Sequence, residues 1–167
     1  MDEGAFIGNF APYGYTKSPE NRHILIPDPP AALVVKRLFE VTAAGHLPSD
    51  TALALNSEHI LSPALYRCQN HPKLQPEAYT RHGLWTANTI IKMLHNPVYL
   101  GHMVQGKTKK ISFKSTLTIS VPISERISVA NTHSPLVTEQ LFKKCQVQLN
   151  KRTCRKKSAS QSPDCRQ

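Results

Sequence analysis

The spacing of apolar residues changes along the chain, and this change constrains the fold more than any other feature. In residues 28–44, Val35, Leu38, Phe39 and Thr42 recur at the spacing of one helix face. Later, residues 117–121 alternate apolar and polar side chains, which is typical of a half-buried strand. We therefore expect an α+β fold with about four helices, a small antiparallel sheet and a helix-turn-helix-like core. The predicted helices cover residues 28–44, about 49–56, 87–95 and 139–151.

Capping residues support these helix boundaries. Pro29 would occupy the first helical position, where its missing N–H is harmless, and Gly45 suits a helix end. Val137 and Phe142 occupy the two positions of a hydrophobic staple at the start of the last helix. The candidate N-caps are Asp28, Ser49 or Asp50, Thr86 and Thr138.

The remaining segments predict strands, loops and a tail. The strand candidates are His23–Ile26, Tyr99–Gln105, Leu117–Val121 and Ile127–Ala130. Residues 63–84 contain three prolines and predict a loop with at most one helical turn, and residues 107–114 predict an exposed basic turn. We expect an N-terminal arm (1–16), a binding domain (17–150), and a basic tail or linker (151–167) that is disordered.

The charge of the chain is strongly asymmetric. The net charge is +10, but residues 1–60 contain 4 basic and 7 acidic residues, whereas residues 61–167 contain 17 basic and 4 acidic residues. A one-sided excess of this kind indicates a polyanionic partner. Double-stranded DNA and RNA both fit this description, so a basic RNA-binding domain remains an alternative.

Metal, cofactor and membrane signals are weak. The four cysteines form no CxxC pair, and Cys68 with His71 and His82 is only a partial set of ligands, so we expect no metal and no cofactor. The chain has no signal peptide and no apolar run near 18 residues, which is about what a membrane span needs. We expect a cytoplasmic location with free thiols.

One enzymatic motif occurs in the wrong context. Residues 101–108, GHMVQGKT, match the phosphate-binding pattern GxxxxGK[ST], in which Lys107 would meet phosphates and Thr108 a magnesium ion. The sequence after them favours a strand rather than the required helix, so nucleotide binding is the less favoured alternative. No HExxH or GxSxG pattern occurs, and residues 61–150 contain only three carboxylates, so no catalytic residue is predicted.

The helix at 87–95 is the best candidate for reading DNA. It would follow the helix at 49–56 in a helix-turn-helix variant, with the later helix in the major groove. Asn88 and Thr89 suit base edges and Lys92 suits phosphates. The predicted apolar stripe of this helix consists of Ala87, Ile90, Ile91 and Leu94, and an amphipathic helix with only a structural role would show the same stripe. The predicted DNA-binding residues are Arg67, Arg81, Thr86, Asn88, Thr89, Lys92, Lys107, Lys109, Lys110 and Lys114.

A series of short motifs also carries a family resemblance. The pieces are Ala11–Tyr15, Val34–Gly45, Ala54–Asn56 with Ile60 and Pro63, Trp85, Thr89–Ile90 with Met93–Leu94, Asn96–Gly101, and Asn131–Val137 with Phe142. In this order and at this spacing, the sequence resembles the recombinase domain of the large serine recombinases, in the resolvase/invertase superfamily, which includes phage integrases and transposases of mobile elements.

The resemblance implies site-specific DNA recombination and DNA integration by a longer parent protein. In that family an N-terminal domain carries the catalytic serine, and a zinc ribbon usually follows the present domain. We therefore expect a non-catalytic fragment that binds half of an attachment site, is monomeric by itself, and comes from an oligomeric parent. The resemblance also implies that residues 4–12 run along the DNA minor groove.

Overall fold

The computed structural model describes residues 5–71, 73–74, 83–106, 108–111 and 117–159. Five helices and six three-residue strands lie within these residues, which confirms the predicted α+β class. The helices are α1 (Pro29–Ala43), α2 (Pro48–Ser57), α3 (Pro63–Asn70), α4 (Ala87–Leu94) and α5 (Glu139–Ala159). The strands are β1 (Tyr15–Lys17), β2 (Leu25–Pro27), β3 (Met103–Gln105), β4 (Thr108–Lys110), β5 (Thr118–Ser120) and β6 (Ile127–Val129).

The described strands form three separate two-stranded sheets rather than one. All three sheets are antiparallel: β1 pairs with β2, β3 with β6, and β4 with β5. Strands this short expose much of their backbone, so packing of their side chains must supply most of their stability.

The chain divides into two compact units. The first consists of Met1–Lys36 and Asn96–Thr138, and the second of Arg37–His95 and Glu139–Gln167. All the described strands belong to the first unit, and α2, α3, α4 and α5 belong to the second.

Buried tyrosines organise the first unit. The Tyr15 hydroxyl lies 2.9 Å from the Ser134 carbonyl and 3.3 Å from the Val98 carbonyl, and the Tyr99 hydroxyl donates to the Tyr13 carbonyl at 3.0 Å. Burial raises the pKa of both Tyr15 and Tyr99. Both side chains therefore remain neutral donors, and their hydrogen bonds join segments that are far apart in sequence.

Two glycines permit close packing in this unit. Gly14 has φ +94°, and a Cβ there would lie 2.9 Å from the Val35 side chain. Gly101 has φ +82°, and a Cβ there would lie only 2.6 Å from the His133 carbonyl oxygen. Because other residues resist positive φ, these positions favour glycine on both conformational and steric grounds.

The second unit is held by the inner faces of α1 and α5. Leu38, Phe39 and Thr42 of α1 are fully buried, as the helical spacing predicts. The Cys145 thiol donates to the Phe39 carbonyl at 2.9 Å, and the Phe39 and Phe142 rings stack with centroids 5.7 Å apart. Burial raises the pKa of Cys145 to about 11, so this thiol is protonated and unreactive at neutral pH.

Two predictions about helices were wrong near residues 48–70. Helix α2 begins at Pro48 with Leu47 as its N-cap, so neither Ser49 nor Asp50 caps it. Residues 63–70 form a helix rather than a loop, because the Ser62 hydroxyl accepts from the Leu65 N–H at 3.4 Å and Pro63 takes the first helical position.

Further differences lie in the strands and at the last helix. Residues 97–100 form a 3-10 helix, so the strand predicted from Tyr99 begins only at Met103. Pro97 fixes its own φ, and the Asn96 side chain accepts from the Val98 N–H at 3.4 Å, which favours a tight turn. Helix α5 continues to Ala159 rather than ending near 151, and β4 lies in the segment that was predicted to be a turn.

Among the described residues, every helix is too short or too polar to cross a membrane.

Candidate nucleic-acid interface

Helix α4 has a well-defined beginning. The Thr86 hydroxyl accepts from the Thr89 N–H at 3.2 Å, which confirms the predicted N-cap. The two hydroxyl oxygens of Thr86 and Thr89 also lie 2.9 Å apart. This pair fixes the first turn of α4 and ties both hydroxyls to the helix end.

The segment before α4 is fixed to the end of α2. The Asn56 side chain accepts from the Trp85 N–H at 2.8 Å and donates to the Trp85 carbonyl at 3.1 Å. The Trp85 indole N–H donates to the Ile60 carbonyl at 3.0 Å, and its ring is buried. We name this set of contacts between Asn56, Trp85 and Ile60 the Asn56 clamp; it sets where α4 begins.

The two faces of α4 differ sharply. Ile90, Met93 and Leu94 are buried, whereas Ala87 and Ile91 of the predicted stripe are only half-buried. Asn88 and Lys92 are exposed, and their spacing of four residues places them on the same face of the helix. Thr86 is also exposed and Thr89 is half-buried, so the four predicted residues of this helix lie together at its outer surface and first turn.

A cleft beside α4 brings in a further predicted residue. Arg67 of α3 and Thr89 of α4 line the same cleft of about 220 Å³, together with the buried Ser62 and Cys68. Because residues 63–70 form a helix, Arg67 shares this cleft with Thr89 in the first turn of α4.

The other predicted lysines belong to a different part of the chain. Lys109 and Lys110 lie in β4, in the first unit. Arg81, Lys107 and Lys114 lie outside the described residues. The predicted residues that the structure describes thus divide into a set around α4 and the two lysines of β4.

The phosphate-loop alternative does not fit the observed structure. Residues 103–105 of the matching pattern form β3, and Thr108 begins β4 rather than a helix. Without a following helix, no helix N-terminus is available to hold phosphate in the way this motif requires. Over the described residues, no group of three or more His, Cys, Asp or Glu side chains is placed to hold a metal ion; His82 lies outside them.

The N-terminal arm is attached to the first unit. The Phe6 N–H donates to the His23 carbonyl at 2.8 Å, and the Gln105 side chain donates to the Ala5 carbonyl at 2.7 Å. Lys17 donates to the Gly8 carbonyl at 2.7 Å, and its ammonium lies 5.4 Å from the centre of the buried Phe6 ring. Residues 5–8 therefore have a fixed course on the surface of this unit.

Sequence reasoning missed two positioning features. The sequence places Asn56 in a family motif but does not indicate its hydrogen bonds to Trp85, because the two residues are 29 positions apart. Helix α3 was missed although Ser62-Pro63 is a helix-start signal, because the nearby prolines favoured a loop.

Comparison with known proteins agrees with this arrangement. The family model described as Recombinase matches residues 29–152. A solved structure described as "Crystal Structure of a LSR-DNA Complex" is 12% identical, with a TM-score of 0.50 over 91% of this chain and 37% of that chain. Another, "Sequence Requirements of the Listeria innocua prophage attP site", is 13% identical, with a TM-score of 0.51 over 90% of this chain and 47% of that chain.

The family follows from the extent of the match. The matched residues make up well over half of the sequence, and the chain belongs to the Recombinase family. The match confirms that the sequence motifs indicate a recombinase domain, and the two solved structures share its fold. At such low identities the two solved structures support the fold alone, and this chain spans less than half of either of theirs.

Proposed function

We propose that this chain is the part of a serine site-specific recombinase that binds double-stranded DNA with sequence specificity. The observation that carries the proposal is the exposed face of α4, where Asn88 and Lys92 stand on a helix whose start and inner face are fixed. A rigid helix with short polar and basic side chains on one face is suited to reading base edges in the major groove.

The dimensions of α4 suit this role. An α-helix with its side chains is about 10–12 Å in diameter, which fits a major groove about 12 Å wide, and the eight residues of α4 would extend about 12 Å along the groove. Asn88, in the first turn, could form two hydrogen bonds to an adenine edge, whereas Lys92, one turn later, would reach a phosphate. The Asn56 clamp limits movement of the helix start, which reduces the ordering cost of binding.

The charge around α4 suits a polyanion. Between Glu58 and Glu125 the sequence contains a single acidic residue, Glu77. Arg67 lines the cleft beside the first turn of α4, where it would neutralise a backbone phosphate. The lysines at 107, 109, 110 and 114 and Arg81 would add further phosphate contacts in this proposal.

The arm is the second contact in the proposal. Residues 4–12 would follow the minor groove, and the attachment of residues 5–8 to the first unit means that this arm would bind without first being ordered. Deletion of residues 1–10 should therefore weaken binding to the specific site. Unchanged affinity of the deleted chain would refute this part of the proposal.

The proposal assigns only binding to this chain. The serine that cuts DNA, and the oligomeric assembly that exchanges strands, would belong to other parts of the recombinase, with the present chain monomeric. We also propose a division into an arm (1–16), a binding domain (17–150) and a basic tail (151–167) whose first residues continue α5, and a cytoplasmic location.

Two substitutions on α4 test the role of this helix. Asn88→Ala should relax preference at one base pair by about 1–3 kcal/mol, because only a base contact carries sequence information. Lys92→Ala should weaken binding to all sequences alike and reduce the salt dependence by about one phosphate contact. Fluorescence anisotropy with single-base variants of the bound duplex would measure both effects.

A matched control is Lys36→Ala, which removes an exposed lysine from α1 and should leave affinity unchanged. If Asn88→Ala and Lys92→Ala both bind like the parent, α4 is not the reading helix. Competition by an A-form RNA duplex as effective as competition by DNA would favour the RNA-binding alternative instead.

A further inference from the structure

The β4–β5 ribbon is exposed in an unusual way. All three residues of β5, Thr118, Ile119 and Ser120, are exposed, although successive side chains of a strand point to opposite faces. Both faces of β5 are therefore largely open, although the Arg126 guanidinium lies 3.4 Å from the Ser120 hydroxyl. Such a ribbon lacks the packed face that usually stabilises a strand pair.

One face of β5 is apolar. Along β5 and the residues that flank it, the exposed fraction rises from 7% at Val121 to 41% at Ile119 and 66% at Leu117. These three residues occupy every second position along the chain, so their side chains lie on the same face of the strand. Ile111, which is 59% exposed, lies opposite Leu117, since its N–H donates to the Leu117 carbonyl at 3.2 Å. The ribbon thus begins at a buried valine and leads to exposed Ile and Leu side chains.

The sequence of the ribbon is basic as well as apolar. Lys109 is the register partner of Ile119, and Lys110 is the partner of Thr118. Lys107 and Lys114 flank β4 in the sequence, and no acidic residue occurs from 78 to 124. An apolar protein partner would not require this charge, whereas a nucleic-acid backbone would be attracted by it.

We propose that the β4–β5 ribbon enters the major groove of the DNA, where Ile119 and Leu117 contact the methyl groups of thymines. This inference rests on the proposed function and adds a second reading element to it. Strands in a pair lie about 4.8 Å apart, so a two-stranded ribbon fits a groove about 12 Å wide. The thymine methyl is the apolar group that the major groove offers, and the positive charge of the ribbon sequence would favour approach to the DNA backbone.

The test removes the methyl groups from the DNA. The probe is the most tightly bound of a set of duplexes from the DNA that flanks the gene of this chain, compared with the same duplex in which deoxyuridine replaces every thymidine. The full chain should bind the uracil duplex more weakly, by about fourfold for each thymine methyl group that the ribbon touches. Ile119→Ala should bind the thymine duplex more weakly and should be much less sensitive to uracil, because the alanine side chain is too short to reach the methyl group.

Two further variants make the result interpretable. Leu117→Ala, at a more exposed position, repeats the test at lower risk to folding, and circular dichroism checks that both variants keep the parent's structure. Thr118→Ala lies on the opposite face of the same strand and should keep the full sensitivity to uracil.

The outcomes separate this inference from the proposed function. If the parent binds one duplex preferentially but Ile119→Ala and Leu117→Ala respond to uracil as the parent does, the ribbon does not read thymines. If these variants instead change only self-association in sedimentation, the apolar face binds a second copy of the chain, and the inference is wrong. If the parent prefers no duplex, both the inference and the proposed function fail.

Discussion

Replacing Asn56 by leucine should destabilise the second unit by an amount that can be worked out from the Asn56 clamp. The substitution keeps a similar volume but removes both hydrogen bonds to the Trp85 backbone. Each bond contributes about 0.5–1.5 kcal/mol, and a backbone group left without a partner beside the buried indole costs more. We expect the free energy of unfolding to fall by about 2–3 kcal/mol.

Urea denaturation would measure this change with two probes. Trp85 is the single tryptophan of the chain, so its fluorescence reports directly on the clamp, while circular dichroism reports on the helices. Ser57→Ala is the control, because it removes an exposed hydroxyl that donates to the Ala54 carbonyl within α2. This control should change stability by less than about 0.5 kcal/mol. An Asn56→Leu variant as stable as the control would refute the view that the clamp holds α4 in place.

Three further predictions concern the interiors of the two units. Gly101→Ala should cost about 2–3 kcal/mol in urea unfolding, because it combines a strained φ with a close approach to the His133 carbonyl. Gly106→Ala has a positive φ too, but apart from its chain neighbours no atom of the described residues lies within 4 Å of the added Cβ, so it should cost clearly less; equal costs would contradict the steric argument. Burial lowers the pKa of His133, whose Nε2–H donates to the Val98 carbonyl. As the pH falls, His133 is therefore protonated in the unfolded chain before it is protonated in the folded chain. The free energy of unfolding should decrease from about pH 6.5, the ordinary pKa of histidine, down to the lower pKa of His133 in the folded chain. A His133→Gln variant with the same pH dependence would contradict this assignment. Finally, Thr42→Val should be neutral or stabilising by about 1 kcal/mol, because the buried Thr42 hydroxyl has no partner among the described residues. A clear loss of thermal stability would show that this hydroxyl is bonded.

Local signals in the sequence were sufficient for two of the helices, α1 and α4. The spacing of Val35, Leu38 and Phe39 identified the buried face of α1, and Thr86 marked the start of α4. Both signals lie within a few residues of the structure they determine, because helix formation and capping depend on near neighbours. The exposed face of α4 could be predicted for the same reason.

The features that hold these elements in place could not be read in the same way. The Tyr15 hydroxyl bonds to the Ser134 carbonyl across 119 positions, and no local pattern indicates that pairing. Strands of three residues, such as β1 and β2, are too short to show a clear alternation. The exposure of the Ile119 and Leu117 side chains could not be predicted either. Alternation of apolar and polar residues predicts a half-buried strand, but it does not indicate whether another element packs on the apolar face.

The central claim is that this chain recognises a particular DNA sequence. The most direct test is to measure binding of the full chain to duplexes from the DNA that flanks its gene, at about 50 mM and about 200 mM salt. We expect tight binding to one of these duplexes. The preference for that duplex over the others should persist at the higher salt, while the absolute affinity falls. Weak binding to every duplex, abolished at the higher salt, would contradict the account.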